Sequence, residues 1–257
     1  MTSLAVHADQ RAEGVPLVLL HAFPLDSTMW QQVVSRLPGI PVVTIDAPGF
    51  GGSAPREHAS LEDYAREVVV TVRELGADQA VVAGLSMGGY VAMAIAEAAP
   101  GILAGIGLLS TKASADAEPA REKRLAMAAA AERAEPDLAV GMLEGLLGDT
   151  SRQHRPELVE QVRERLRTAP AAGISWAQRS MAARPDRLAA LAALAGVPAL
   201  VLRGAQDALM SDGDACAMGS ALGVEVVELA GAGHLAALEE PDAVAAALAQ
   251  LYARSVG

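Results

Sequence analysis

Cysteine is almost missing from this chain. Cys216 stands alone among 257 residues, which excludes an internal disulfide and any cysteine-based zinc site and fits a reducing cytoplasm. Aromatic side chains are scarce too, at 3%. The core must then be assembled from Ala, Leu, Val and Met, and a platform for stacking nucleobases is hard to build. Nor is there an excess of positive charge: the formal net charge is −11, whereas nucleic acids and anionic membrane surfaces both call for a basic face. No apolar run is long and clean enough to span a bilayer. The longest, residues 188–202, is broken by Gly196 and Pro198 and reads as a helix end followed by a strand. The first 14 residues lack the apolar stretch of a secretory signal, and no two histidines stand at metal-ligand spacing. A cytoplasmic protein is expected, monomeric or homodimeric, without metal, nucleic-acid or membrane partners.

What the chain has in quantity is aliphatic. Hydrophobic residues make up 52% of it, enough at this length for one α/β core with a sizeable insertion. Residues 15–20, 41–45, 79–83 and 102–109 are short apolar runs of the kind buried on both faces of a parallel sheet, and helical patterns separate them. That alternation implies right-handed crossovers. It stops between residues 112 and 187, where Ala, Arg, Glu and Met make helical runs near 118–134, 137–147, 156–167 and 174–183 without a strand. It resumes with strands at 197–202 and 224–229, a short helix at 216–222 between them and a closing helix at 242–254. The expected division is a core of residues 1–111 and 188–257 and a helical cap of residues 112–187. Residues 1–14 supply a short edge strand at most.

The chain is organised around residues 79–99, where an apolar run meets a helical one and Gly84-Leu85-Ser86-Met87-Gly88 fills the joint. A serine on so sharp a turn is held in a strained backbone conformation with its oxygen pushed out of the sheet. Side chains two residues before and after it would collide, so both places call for glycine. The spacing alone is weak: 14 Ser and 24 Gly in 257 residues produce roughly 0.1 such matches by chance. Context strengthens it, because Val81 and Val82 favour a strand while Tyr90, Val91, Met93, Ala94, Ile95 and Ala98 recur at helical spacing. A second glycine-rich stretch, Asp46 to Ala54, contains G-x-G-x-x-A and is rejected as a dinucleotide site. Such a site needs a helix opening inside the motif, whereas here Pro55 intervenes and the helix begins at Ser60, with Ser60-x-x-Asp63 as its capping box.

A serine hydroxyl is a weak nucleophile and needs a general base, and the base needs a third group to fix its tautomer. Asp207 and His234 each lie five residues beyond a strand, in loops at the same sheet edge as Ser86, where open α/β sheets keep their sites. The order Ser, Asp, His suits this sheet type. Asp212 and Asp214 compete with Asp207 for the acid, and His234 by itself could be an ordinary loop histidine. For the developing oxyanion, the Met87 N–H is one donor, and the loop after residues 15–20 supplies the other, assigned to the Phe23 N–H. His21 then braces that loop and need not titrate.

Through HAFPLDSTMW, DAPGFGGS, GLSMGG, GAQD and GAGH the chain resembles the α/β-hydrolase superfamily over nearly its whole length. The resemblance implies a mostly parallel sheet with helices on both faces, a helical cap inserted after the sixth strand, and Ser-His-Asp chemistry without a cofactor at the matching positions. Within the family, HAFPLD with GFGGS is similar to small bacterial esterases, enol-lactonases and cofactor-free perhydrolases or haloperoxidases. Ser86 stands where epoxide hydrolases and haloalkane dehalogenases carry Asp, which argues against those activities. Ala22 departs from the family's glycine, and a positive φ there would strain the oxyanion loop. A serine hydrolase acting on a small carboxylic ester or lactone is therefore expected. The rival readings are perhydrolysis or C–C bond hydrolysis by the same triad, a ligand receptor with a slow triad, and a dinucleotide-binding oxidoreductase.

Substrate preference is expected to reside in the cap. It offers Met127, Met142, Leu143, Leu146, Leu147, Trp176 and Met181, most of them core at helical spacing. Trp176, Met142 and Leu146 are the candidates for the substrate pocket, with Trp176 foremost as the segment's one aromatic residue. The competing role for Trp176 is packing beneath the cap.

Overall fold

In the computed structural model, which describes residues 4–8 and 14–257, one seven-stranded sheet runs through the molecule. Its strands are β1 (Val6–Ala8), β2 (Leu17–Leu20), β3 (Val42–Ile45), β4 (Ala80–Leu85), β5 (Leu103–Leu109), β6 (Ala199–Gly204) and β7 (Val226–Leu229). The spatial order is β1-β3-β2-β4-β5-β6-β7. Only β1 is antiparallel, pairing with β3. The rest are parallel, with Leu20 opposite both Ile45 and Gly84, Leu85 opposite Leu109, Leu109 opposite Leu202 and Gly204 opposite Leu229. Every loop that leaves the carboxyl end of one of these strands therefore opens on one edge of the sheet.

Strands β2 and β4 are buried along their full length, as the unbroken apolar runs require when helices cover both faces. One layer joins helices Leu61–Glu74, Met87–Ala98, Leu188–Ala192 and Asp212–Leu222, and the other joins Gln31–Val34, Ala236–Glu239 and Pro241–Val256. The Leu61–Glu74 helix starts as expected, with the Ser60 hydroxyl accepting from the Asp63 N–H at 3.0 Å. Of its expected apolar stripe, Leu61, Tyr64, Ala65, Val68, Val69 and Val72 are buried, whereas Leu75, expected with them, falls at the helix's C-cap and is exposed.

Between β5 and β6 the chain is helical: Glu118–Glu132, Val140–Met142 as a 3-10 turn leading into Leu143–Leu146, Asp149–His154, Pro156–Arg167 and Ala171–Ala183. Helix Asp149–His154 has no counterpart among the expected elements; of its residues only Ser151 is buried, so it carries no apolar stripe to read. The helix expected at 216–222 begins earlier, at Asp212, because Ser211 caps it by accepting from the Asp214 N–H at 3.1 Å. The helical segment follows the fifth strand among the described residues, not the sixth. The one described strand ahead of β2 is β1, the expected edge strand, and residues 1–3 and 9–13 of that stretch lie outside the described residues.

Candidate active site

At the end of β4, Ser86 sits at φ 55° and ψ −110°, a conformation that few residues other than glycine adopt. The two flanking glycines have the steric role expected of them. A Cβ on Gly84 would lie 2.1 Å from the Gly88 carbonyl carbon, and one on Gly88 would lie 2.1 Å from the Leu20 oxygen. The turn is pinned on the sheet side by the Ser86 N–H donating to Leu109 O at 2.9 Å, and on the helix side by Gly89 and Tyr90 N–H donating to Ser86 O. Thr111, just past β5, also donates its hydroxyl to Ser86 O at 2.8 Å, a support that no local motif announced.

Asp207 and His234 meet although 27 residues separate them. His234 Nδ1 lies 3.1 and 3.0 Å from the two Asp207 oxygens. Asp207 Oδ1 also accepts from the Leu209 and Met210 N–H groups at 2.8 and 3.0 Å. Burial alone would raise the Asp207 pKa, but the hydrogen bond and charge of His234 and the two amides outweigh it and hold the carboxyl below its ordinary value. The carboxylate thus stays ionised and fixes the proton on Nδ1, leaving Nε2 as the basic nitrogen. The rival acids are engaged elsewhere. Asp212 is 81% exposed and pairs with Arg203, while Asp214 takes the Ser211 cap and the Ser114 hydroxyl.

The loop after β2 lies beside the β4 turn, because Leu20 pairs with Gly84 and Gly88 abuts Leu20. Among the described residues, neither the Phe23 N–H nor the Met87 N–H donates a hydrogen bond, so both amides stay available to a ligand. His21 braces this loop. Its Nδ1 hydrogen donates to Ala22 O at 3.0 Å and its Nε2 accepts from the Ala47 N–H at 2.8 Å, a pattern that only the neutral ring satisfies. Burial, the largest influence, pushes its pKa down. Ala22 does not strain the loop: it is absent from the positive-φ residues, and its N–H donates to Met29 Sδ at 3.2 Å.

In the Asp46 to Ala54 loop the glycines serve structure. Asp46 Oδ2 accepts from Gly52 N–H at 2.9 Å and Oδ1 from Ser27 N–H at 2.8 Å, so a carboxylate occupies the centre of the loop. No cluster of three His, Cys, Asp or Glu residues suited to a metal ion occurs among the described residues.

Of the pocket candidates, Leu146 is fully buried and its carbonyl accepts from the Leu235 N–H at 3.0 Å, next to His234. Met142 is partly buried against the core. Trp176 is buried as well. Its Nε1–H donates to His58 O at 3.1 Å, and its ring meets Tyr64 edge to face at 5.9 Å. These contacts place it at the seam between helices Ala171–Ala183 and Leu61–Glu74, where it packs against the core. Glu239, buried beside the His234 loop, is not among the expected site residues, because an acid next to Glu240 just ahead of the closing helix reads as an ordinary surface charge.

The sequence model of the alpha/beta hydrolase family matches residues 17–247. Among solved structures, a thermophilic esterase from Thermogutta terrifontis, determined with malate bound, superposes with a TM-score of 0.92. It is 34% identical, over 99% of this chain and 94% of that one. The enol-lactonase from Burkholderia xenovorans superposes at 0.86 with 22% identity, over 97% of this chain and 95% of that one, and is alike in fold. A pimeloyl-[acyl-carrier protein] methyl ester esterase of Vibrio vulnificus is 40% identical over 91 residues. That alignment takes in 35% of this chain and 34% of the relative, so it spans about a third of the curated protein's length.

Proposed function

The chain belongs to the alpha/beta hydrolase family, and from that premise we propose that it is a serine hydrolase cleaving a small carboxylic ester or lactone through an acyl-enzyme on Ser86. The observation that carries the reading is the pairing of His234 Nδ1 with Asp207 at the sheet edge from which the strained Ser86 projects. In this mechanism His234 Nε2 takes the Ser86 proton as the hydroxyl attacks the carbonyl carbon. The Phe23 and Met87 amides stabilise the tetrahedral oxyanion. His234 then protonates the leaving alcohol, and water, deprotonated by the same ring, releases the acid. No hydrogen bond joins Ser86 to His234 among the described residues, and such a bond commonly tightens only when substrate is present. The esterase activity in the names of two relatives supports the reaction class.

On this reading residues 1–111 and 188–257 are the catalytic core and residues 112–187 a cap over its carboxyl edge. The burial of Leu146 beside Leu235 supports the cap's share in the substrate site. Acyl esters of graded chain length and a set of lactones, offered to the purified protein beside a fluorophosphonate, test the whole reading. Turnover of at least one ester class and a single adduct on Ser86 are expected. An adduct on another serine, or ester turnover that survives loss of Ser86, would overturn it.

A further inference from the structure

Five residues beyond His234, the side chain of Glu239 turns back into the protein, and the residue is only 5% exposed. Its two oxygens accept from different parts of the chain. Oε1 takes the Gly233 N–H at 2.9 Å, and Oε2 takes the Gly148 N–H at 2.8 Å. Gly233 directly precedes His234, whereas Gly148 belongs to the helical segment between β5 and β6. On the other flank of His234, the Leu235 N–H donates to Leu146 O at 3.0 Å. Arg155 closes the arrangement, its Nη1 donating to the Glu239 carbonyl at 2.7 Å. The two backbones touch: a Cβ on Gly233 would lie 2.2 Å from Gly148 N, and one on Gly148 would lie 2.8 Å from Gly233 N.

Nothing in the proton transfers above calls for this second carboxylate, since Asp207 already holds Nδ1. A buried acid here is not neutral in its effect, however. Burial pushes the Glu239 pKa up, and the Gly148, Ser151 and Gly233 donors and His234 pull against that rise. Taking the acceptor away would leave two amides, one on each side of the seam, without a partner. Leu146 thus holds the main chain on one side of the candidate base directly, and Gly148 holds the other side through the Glu239 carboxylate.

We propose that Glu239 is the positioning residue of the His234 loop and that residues 146–155 are its second anchor, so that the base is aligned with Ser86 only when this part of the cap is seated. The proposal rests on the serine-hydrolase reading. Its consequence is that lifting the segment at Gly148 to admit substrate and withdrawing the base are one movement. A misplacement of about 1 Å in a reacting group lowers the rate by roughly 10²-fold.

Wild type, Glu239→Gln and Arg155→Met decide it, compared well below their melting temperatures. The readouts are the rate constant for fluorophosphonate labelling, kcat and KM for p-nitrophenyl butyrate, and the low-field proton resonance of His234 Nδ1–H. Gln keeps one acceptor and loses the other, so labelling and kcat should fall about 10- to 100-fold, the scale seen when an outer support of a site is removed, with KM changed less than about 3-fold. The resonance should move or broaden. Arg155→Met removes one grip from a partly exposed side chain and should bring a smaller loss of the same kind, about 3- to 10-fold. A Glu239→Gln protein that melts lower yet labels and turns over at wild-type rates, with its resonance unmoved, overturns the proposal. If Glu239→Gln does not fold, a wild-type labelling rate in Arg155→Met overturns it instead. Wild type that takes no label on Ser86 and turns over no ester refutes the hydrolase reading separately. The resonance then decides the positioning, upheld if it moves in the variants and rejected if it does not.

Discussion

Ser86 holds its conformation through its neighbours. Its φ of 55° suits serine no better than alanine, and its side chain makes no capping hydrogen bond to the helix it begins. Ser86→Ala should therefore leave the melting temperature within a few degrees of wild type while lowering kcat by about 10⁴- to 10⁶-fold, or roughly 5 to 8 kcal/mol of transition-state stabilisation. Steady-state kinetics beside thermal melts check both halves. Asp207 is the more discriminating residue, because three acids share its loop region and only one meets His234. Asp207→Asn offers an amide where Nδ1–H needs an acceptor and favours the wrong tautomer, so kcat should drop about 10³- to 10⁴-fold. Asp212→Asn and Asp214→Asn should stay within about 3-fold of wild type, since neither side chain reaches the histidine. A mild Asp207→Asn beside a crippled Asp212→Asn or Asp214→Asn would transfer the role.

At the level of elements, helix Ala171–Ala183 is held on two sides. Along one it packs on Glu118–Glu132, and through Trp176 it reaches Tyr64 and His58 on the core. Removing a buried indole costs about 3–5 kcal/mol, because the surrounding side chains collapse only partly into the space. For a chain of this length that corresponds to a fall in melting temperature of roughly 10 °C for Trp176→Ala. The order of preference along an acyl-ester series should stay as in wild type, because the indole packs in the seam. A preserved melting temperature together with a shift toward bulkier acyl groups would assign Trp176 to the pocket.

For the whole molecule, protonation sets the conditions under which the fold holds. Asp46, Glu62, Asp116 and Asp207 all have folded pKa values below the ordinary carboxylate value. Burial opposes ionisation in each, and the hydrogen bonds of Gly52 and Ser27, of Arg187, of Arg184 and Arg124, and of His234 respectively outweigh it. The stability they contribute is complete above the unfolded value near 4 and is lost as the pH falls through their lowered folded values. His21 works in the same direction at a higher pH. Its pKa is lowered from 6.5, so the unfolded chain takes up that proton first, and its share fades below that point. Glu239 runs the other way, its raised pKa meaning that ionisation costs stability and acid relieves the cost. Melting temperatures from about pH 8 to pH 3 should be level at first, decline gently below about 6.5 and steeply below about 4. A midpoint that rises on acidification would contradict the balance.

Local rules made much of this protein legible. The joint at Ser86 was readable because short-range sterics demand Gly84 and Gly88 whatever surrounds them, and the strands were readable because burial on both faces leaves an unbroken apolar run. The order of strands and acids along the chain then sufficed to bring Ser86, Asp207 and His234 to one edge. What stayed open depended on residues distant in sequence. Three neighbouring aspartates look alike in a string of letters, and only the approach of the β7 loop selects Asp207. The packing of Trp176 is decided by Tyr64 and His58, 112 and 118 residues away. Glu239 left no trace in the pattern for the same reason: its meaning lies in a contact with Gly148, 91 residues earlier. Periodicity and steric demand belong to a segment, whereas the partner of a buried polar group belongs to the folded whole.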